Sequence, residues 1–205
     1  MLLHIHPVNP DFRKLKIVVE CLMDGGVIAY PTDTIYGIGC DIFNKKAVER
    51  VCRIKKVDIK KHNFSFICYD LRHISDFTKQ LETPTYKLMK KTLPGPFTFI
   101  LKANTSIPKL FKNKKKTVGI RIPNNNIPRE IVKLLGNPIL TTSVKYSENK
   151  IEYTTNPDLI HEQLKNEVDI VISGGSGGTE ASTIIDCTEK IEVKRQGKGD
   201  LSKYI

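Results

Sequence analysis

The sequence predicts an α/β fold: a twisted, mostly mixed β-sheet flanked by helices, in one domain spanning residues 1–205. Three observations carry this. Short apolar runs of strand length recur at 27–30, 64–68, 97–101, 117–122, 139–143, 168–172 and 182–187. Several short helical patterns with cap residues lie between them. Regular strand–helix alternation is rare, which argues against a strict parallel repeat. At 205 residues, 40% hydrophobic and 27% charged, the chain can bury a substantial core without disulfide or metal staples.

Taken in order, the N-terminal segment is strand-like and puts His4 and His6 on one side. That spacing fits a pair of metal ligands, but also two ordinary surface histidines. Asn9-Pro10-Asp11 opens a helix with Asn9 as its cap, and Phe12, Leu15, Val18, Val19, Leu22 and Met23 form its apolar face. Gly25 and Gly26 stop it. A buried strand at 27–30 ends at Pro31, which lacks an amide donor. Thr32-Asp33-Thr34 then places three side-chain oxygens in one turn, and a second strand at 35–40 carries Gly37 and Gly39. A polar-tipped hairpin and a ligand site are both compatible with that pattern.

Asn44 caps the next helix, with Ala47, Val48, Val51, Cys52 and Ile54 on its buried side. A basic loop covers 55–63, a strand 64–68 and a short helix 71–77. Thr83-Pro84 opens another helix carrying Tyr86, Leu88 and Met89. Leu93-Pro94-Gly95-Pro96 is a rigid elbow before the strand at 97–101. Five lysines surround Leu110 and Phe111 within 109–116; a solvated loop or a phosphate contact fits them. A strand at 117–122 brings Arg121 to its end, followed by a helix at 128–135 and a strand at 139–143. Asn156-Pro157-Asp158 starts a further helix, and 168–172 is a buried strand. The glycine-rich stretch 173–178 is a flexible loop that matches no phosphate-binding glycine spacing. Strands at 182–187 and 191–195 close the chain.

Composition narrows the classes. The five scattered cysteines form no Cys-x-x-Cys pair and are expected as buried reduced thiols. No apolar run reaches membrane-spanning length and no signal-peptide plan is present, so the expected location is the cytoplasm. The formal net charge of +11 fits an anionic partner such as nucleotide or RNA, or a lysine-rich solvated surface. Gly-x-Ser-x-Gly and His-Glu-x-x-His patterns are absent, and no metal set is expected. What remains is hydroxyls and fixed cations at strand ends, a set suited to a polyanionic substrate handled by electrostatics rather than by a covalent nucleophile.

Pro31-Thr32-Asp33-Thr34-Ile35-Tyr36-Gly37-Ile38-Gly39 closely resembles the signature of the YrdC-like threonylcarbamoyl-AMP synthases. The resemblance continues through Pro94-Gly95-Pro96-Phe97-Thr98, Thr117-Val118-Gly119-Ile120-Arg121-Ile122-Pro123 and Ser182-Thr183-Ile184-Ile185-Asp186. His62-Asn63-Phe64 and Thr141-Thr142-Ser143 point to the YciO branch. The resemblance implies a nucleotidyltransferase that joins ATP, L-threonine and bicarbonate into threonylcarbamoyl-AMP and pyrophosphate for tRNA modification. Magnesium would accompany the triphosphate, and tRNA or double-stranded RNA and other tRNA-modification proteins would be partners.

By the same resemblance Lys55 and Arg121 are the catalytic pair, and Thr32, Thr34, Tyr36 and Ser182 bind substrate. Asn63, Thr117, Ser143, Lys145 and Arg195 take the nucleotide. The run Lys114, Lys115, Lys116 is the expected RNA contact. Two positions depart from the family pattern: Val57 replaces an arginine, and Lys145 replaces an asparagine. Lost polar contacts imply slow turnover, or a protein that binds RNA without turnover.

Overall fold

A computed structural model describes residues 1–59, 64–111, 116–144 and 152–204. Its elements run β1 (Leu2–His4), α1 (Phe12–Met23), β2 (Ile28–Tyr30), β3 (Gly37–Asp41), α2 (Lys45–Lys55) and β4 (Ser65–Ile67). Then come α3 (Leu71–Ser75), α4 (Thr83–Thr92), β5 (Phe97–Lys102), β6 (Thr117–Arg121), α5 (Asn126–Leu135) and β7 (Ile139–Ser143). The chain ends with α6 (Glu152–Thr155), α7 (Pro157–Leu164), β8 (Ile170–Ser173), β9 (Thr183–Asp186) and β10 (Glu192–Arg195).

The strands form one ten-stranded sheet in the order β1-β8-β2-β3-β7-β4-β6-β5-β9-β10. Parallel pairs (β1–β8, β2–β8, β4–β6, β5–β9) mix with antiparallel ones, so the mixed sheet is borne out. One face packs against helices α2, α4 and α7 through a core that includes Val48, Val51, Met89 and Ile160. On the other face, α1 and α5 cover Ile28, Tyr30, Ile67, Ile139 and Ile172. They cover only part of it.

The register decides what lies on the uncovered part. Gly39 faces Thr141, Thr141 faces Ser65, Ser65 faces Gly119, and Gly119 faces Ile100. Alternation adds Gly37, Ser143, Arg121 and Thr98 to the same side. The neighbouring row, Cys40, Leu140, Phe66, Ile120 and Phe99, points into the core. The centre of the sheet thus presents a floor of small and hydroxyl-bearing side chains. At Gly119 the floor is flat, and a Cβ there would lie 2.6 Å from Ser65 Oγ, so the serine hydroxyl would have to turn away.

Several boundaries differ from expectation. The cap of α1 is Asp11, not Asn9: its carboxylate accepts from the amides of Arg13 and Lys14. Phe12 and Met23 thereby sit at the two ends of the helix, 54% and 67% exposed, and the buried stripe is Leu15, Val18, Val19 and Leu22. The strand expected from 35 begins at Gly37, because the turn extends to Ile35, whose carbonyl accepts from Thr32 Oγ1. Helix α5 starts at Asn126 under an Asn125 cap, two residues before Pro128. Of the residues carried by α4, Leu88 and Met89 are buried and Tyr86 is 47% exposed. Cys40, Cys52 and Cys68 are buried free thiols as expected, while Cys21 and Cys187 are only half-buried. His4 and His6 are exposed.

Candidate functional site

The uncovered floor opens into a cleft of about 270 Å³, walled by the 32–36 turn on one side and by Ala181, Ser182 and Arg195 on the other. The turn is held by its own side chains. Thr32 Oγ1 donates to Ile35 O at 2.8 Å, accepts from the Thr34 amide at 3.0 Å and lies 3.0 Å from Thr34 Oγ1. Arg121 reaches it from the end of β6. Its Nη2 donates to Asp33 Oδ1 at 2.7 Å and to Thr34 Oγ1 at 3.0 Å. Both partners of this ion pair are largely buried, the side chains 9% and 10% exposed. Arg121 Nε and Asp33 Oδ2 are buried without a hydrogen-bond partner.

Tyr36 ties down the glycine-rich loop. Its hydroxyl donates to Gly175 O at 2.7 Å and accepts from the Gly174 amide at 3.4 Å. Burial pushes the phenol up to about 12, so it stays a neutral donor. Further bonds from the Gly177 amide to Thr155 O and from the Gly178 amide to Thr34 O fasten the same loop. The expected flexible loop is therefore a fixed strap. Two of its glycines are required by contact: a Cβ on Gly177 would lie 2.6 Å from the Tyr36 ring, and one on Gly178 would lie 2.5 Å from Thr34 O.

On the opposite wall, Ser182 Oγ lies 2.8 Å from Thr98 Oγ1, and Arg195 Nη2 donates to Ser182 O at 2.8 Å. Burial, followed by the Arg121 charge, lowers the Arg195 pKa from its usual value. Arg195 has no carboxylate partner among the described residues. Lys198 Nζ donates to Asp33 O at 2.5 Å, joining the C-terminal segment to the turn. At the far rim, Lys55 Nζ donates to Ser143 O at 2.7 Å, and burial pulls its ammonium down to about 8. The cleft thus combines hydroxyls with cations at both ends, a set that receives anions.

Of the residues expected in the site, Thr32, Thr34, Tyr36, Arg121, Ser143, Ser182 and Arg195 line the cleft together. Lys55 lies outside the lining and touches it at the Ser143 carbonyl. Thr117 lies outside the lining, four residues along β6 from Arg121 and so about 13 Å away by strand rise. Asn63, Lys114, Lys115 and Lys145 fall outside the described residues. Lys116 is exposed, in a left-handed conformation with φ 53°. Val57 packs half-buried against the larger core, its amide on Cys52 O at 3.0 Å.

The sequence reading passed over Ser65, Thr98, Thr141, Thr142 and Lys198. Thr98 closes a recognisable motif and was within reach. Ser65 and Thr141 join the floor only through strand register, and a lysine between two glycines carries no local signal. Among the described residues there is no group of three or more His, Cys, Asp or Glu able to hold a metal ion. No helix among them is long and apolar enough to cross a membrane.

Comparison with known proteins now bears on this cleft. The Sua5/YciO/YrdC family model, described as "Telomere recombination", matches residues 20–197. The chain belongs to the Sua5/YciO/YrdC family. It is 39% identical over 205 residues to YciO of Escherichia coli (strain K12), covering 98% of each chain. It is 30% identical over 174 residues to the threonylcarbamoyl-AMP synthase of Coxiella burnetii (strain RSA 493), covering 84% of this chain and 91% of that one. The crystal structure of E. coli YciO superimposes with a TM-score of 0.91 at 38% identity, covering 100% of this chain and 99% of that one. P. abyssi Sua5, crystallised with L-threonine, shares the fold with a TM-score of 0.88 at 22% identity, covering 99% of this chain and 59% of that one.

Proposed function

We propose that this family member is an ATP-dependent L-threonylcarbamoyladenylate synthase acting in the cytoplasm in tRNA modification. The reading rests on one observation: Thr32, Arg121 and Ser182, from three separate motif segments, meet Arg195 around a single cleft. The kinship with a threonylcarbamoyl-AMP synthase supports the reaction, and the threonine in the P. abyssi Sua5 crystal supports the amino acid.

In this reading the threonine amine adds to carbon dioxide supplied by bicarbonate and gives up a proton, leaving a carbamate. A carbamate oxygen then attacks the α-phosphorus of ATP. A new P–O bond forms, the α–β bridging P–O bond breaks, and pyrophosphate leaves. Two anions must be brought together, so positioning and positive charge carry the rate. The hydroxyls of Thr32, Thr34 and Ser182 orient the amino acid. Arg195 faces phosphate, and Lys55 adds charge from the rim. Arg121 offers a planar fork to the carboxylate. Ser143, in the cleft lining, takes the nucleotide side, with Asn63 and Lys145 assigned there by the family resemblance alone; Thr117, outside the lining, has no part in it. With no carboxylate cage in the described residues, Mg²⁺ would be held chiefly by triphosphate oxygens and water, neutralising their charge. Val57 and Lys145 depart from the family pattern and make the enzyme slow. Pyrophosphate release from ATP, dependent on both L-threonine and bicarbonate, is the test; no release above the ATP-only background removes the synthase reading.

A second reading, binding of tRNA or double-stranded RNA with little or no turnover, has its own support. Lys79, Lys102 and Lys116 are exposed and knitted together by backbone bonds: Lys79 N to Lys102 O, and Ala103 N to Lys116 O, each at 2.8 Å. None has an acidic partner among the described residues. With Lys114 and Lys115 they would form a phosphate-binding rim, whose RNA affinity falls steeply with salt.

A further inference from the structure

The Asp33–Arg121 pair is not arranged as a rigid strut would be. Nη2 of a guanidinium has two N–H bonds, and both are committed here, to Asp33 Oδ1 and Thr34 Oγ1. Each of the two edges by which arginine grips a carboxylate with paired bonds includes Nη2. Arg121 therefore cannot hold a ligand carboxylate bidentately while Asp33 stays in place. The pair is also poorly satisfied, since Nε and Oδ2 are both buried and without partners. An incoming carboxylate that took Nε and Nη2 together would satisfy the first and replace Oδ1 on the second.

The displaced side chain has a nearby cation. Lys198 Nζ already sits on the carbonyl of Asp33 itself, at 2.5 Å. Asp33 is thus held by two positive groups: the buried Arg121 on its carboxylate and the exposed Lys198 on its carbonyl.

We propose that Asp33 is a specificity-determining residue that stands in for the ligand carboxylate on Arg121 and moves to Lys198 when an amino-acid carboxylate replaces it. This deepens the synthase reading, on which it rests. It assigns selection of a carboxylate-bearing substrate to an exchange of one carboxylate for another. A ligand without a planar carboxylate gains too little from Arg121 to evict Asp33.

The test is calorimetric titration of L-threonine into four proteins: wild type, Asp33→Asn, Lys198→Met and the double variant. Asn keeps the shape and one acceptor but removes the competing charge, so threonine should bind about tenfold more tightly to Asp33→Asn. Lys198→Met removes the resting place of the evicted carboxylate and should weaken binding about fivefold. In the Asp33→Asn background the same lysine change should have almost no effect, because no charged side chain needs accommodation. A merely structural or long-range role for Lys198 would give the same loss in both backgrounds, and that result overturns the proposal. So does threonine binding that Asp33→Asn weakens or leaves unchanged. Should Asp33→Asn fail to fold, an unweakened Lys198→Met overturns it alone. Absence of threonine binding in wild type and Asp33→Asn alike refutes the synthase reading together with this inference, whereas binding without the exchange signature refutes only the inference.

Discussion

Arg121→Ala should strike stability and turnover together, and the size of the first effect follows from the ion pair. The substitution removes the cation that contacts the Asp33 carboxylate, 10% exposed, and leaves both of its oxygens without a donor. Breaking one partner out of a buried pair costs about 3–5 kcal/mol where the surviving charge stays desolvated, and a shift of Asp33 toward Lys198 puts the loss at the lower end of that range. The hydroxyl of Thr34 loses a donor as well, and the 32–36 turn loosens. For a chain of this length each kcal/mol lowers the melting temperature by about 2–4 °C, so a drop of about 10 °C is expected. The variant remains folded at 25 °C if the wild type lies above about 7 kcal/mol, within the ordinary range of about 5–15 kcal/mol. Urea denaturation measures the loss. Adding Asp33→Asn to Arg121→Ala should recover more than half of it, since the stranded charge disappears. A loss under 1 kcal/mol in Arg121→Ala, or no recovery in the double variant, refutes the claim that the pair is a buried electrostatic contact.

Three further expectations follow from other groups. His73 is 3% exposed, stacked on Tyr69 at 4.5 Å, and both its ring nitrogens lack partners; burial lowers its pKa although Asp76 and Asp70 pull the other way. Protonation is therefore easier in the unfolded chain, and stability should fall as pH drops below about 6.5, where the unfolded imidazole begins to charge; His73→Phe should flatten that slope in urea titrations between pH 7 and 5, and an unaltered slope refutes the assignment. Lys55, pulled down to about 8, loses charge as pH rises through that value, so pyrophosphate affinity should decline above it, and Lys55→Arg should move the decline upward. Restoring the family pattern with Val57→Arg and Lys145→Asn should raise threonine-dependent pyrophosphate formation more than it changes ATP affinity, by more than the two single changes combined in log rate. The stem of an arginine at 57 can keep the packing that Val57 now makes against the core, so a folded but no faster double variant counts against slow turnover as the consequence of these two positions.

Much of the chain was legible because local chemistry repeats there. Asn44 and Asn156 cap helices α2 and α7 where an asparagine precedes a helical pattern. The apolar runs became strands, shortened by a residue or two where turn bonds compete, as at Ile35. Boundaries slipped where two caps were available: Asn9 and Asp11 both precede α1, and only the folded geometry let Asp11 reach the amides. The motif segments identified most of the cleft lining. They carried no information on which partner each side chain would choose.

The sequence by itself determined the class of fold, the family and the kinds of group in the cleft, because hydrophobic period, caps and motif order are properties of neighbouring residues. Tertiary structure alone decided that Ser65, Thr98 and Thr141 share a floor with Arg121, since strands distant in the chain come into register only when the sheet closes. It also decided that Arg121 meets Asp33, 88 residues away, and that Lys198 reaches the carbonyl of the same aspartate across 165 residues. Charge pairing depends on distance and burial, and neither is written in the order of residues.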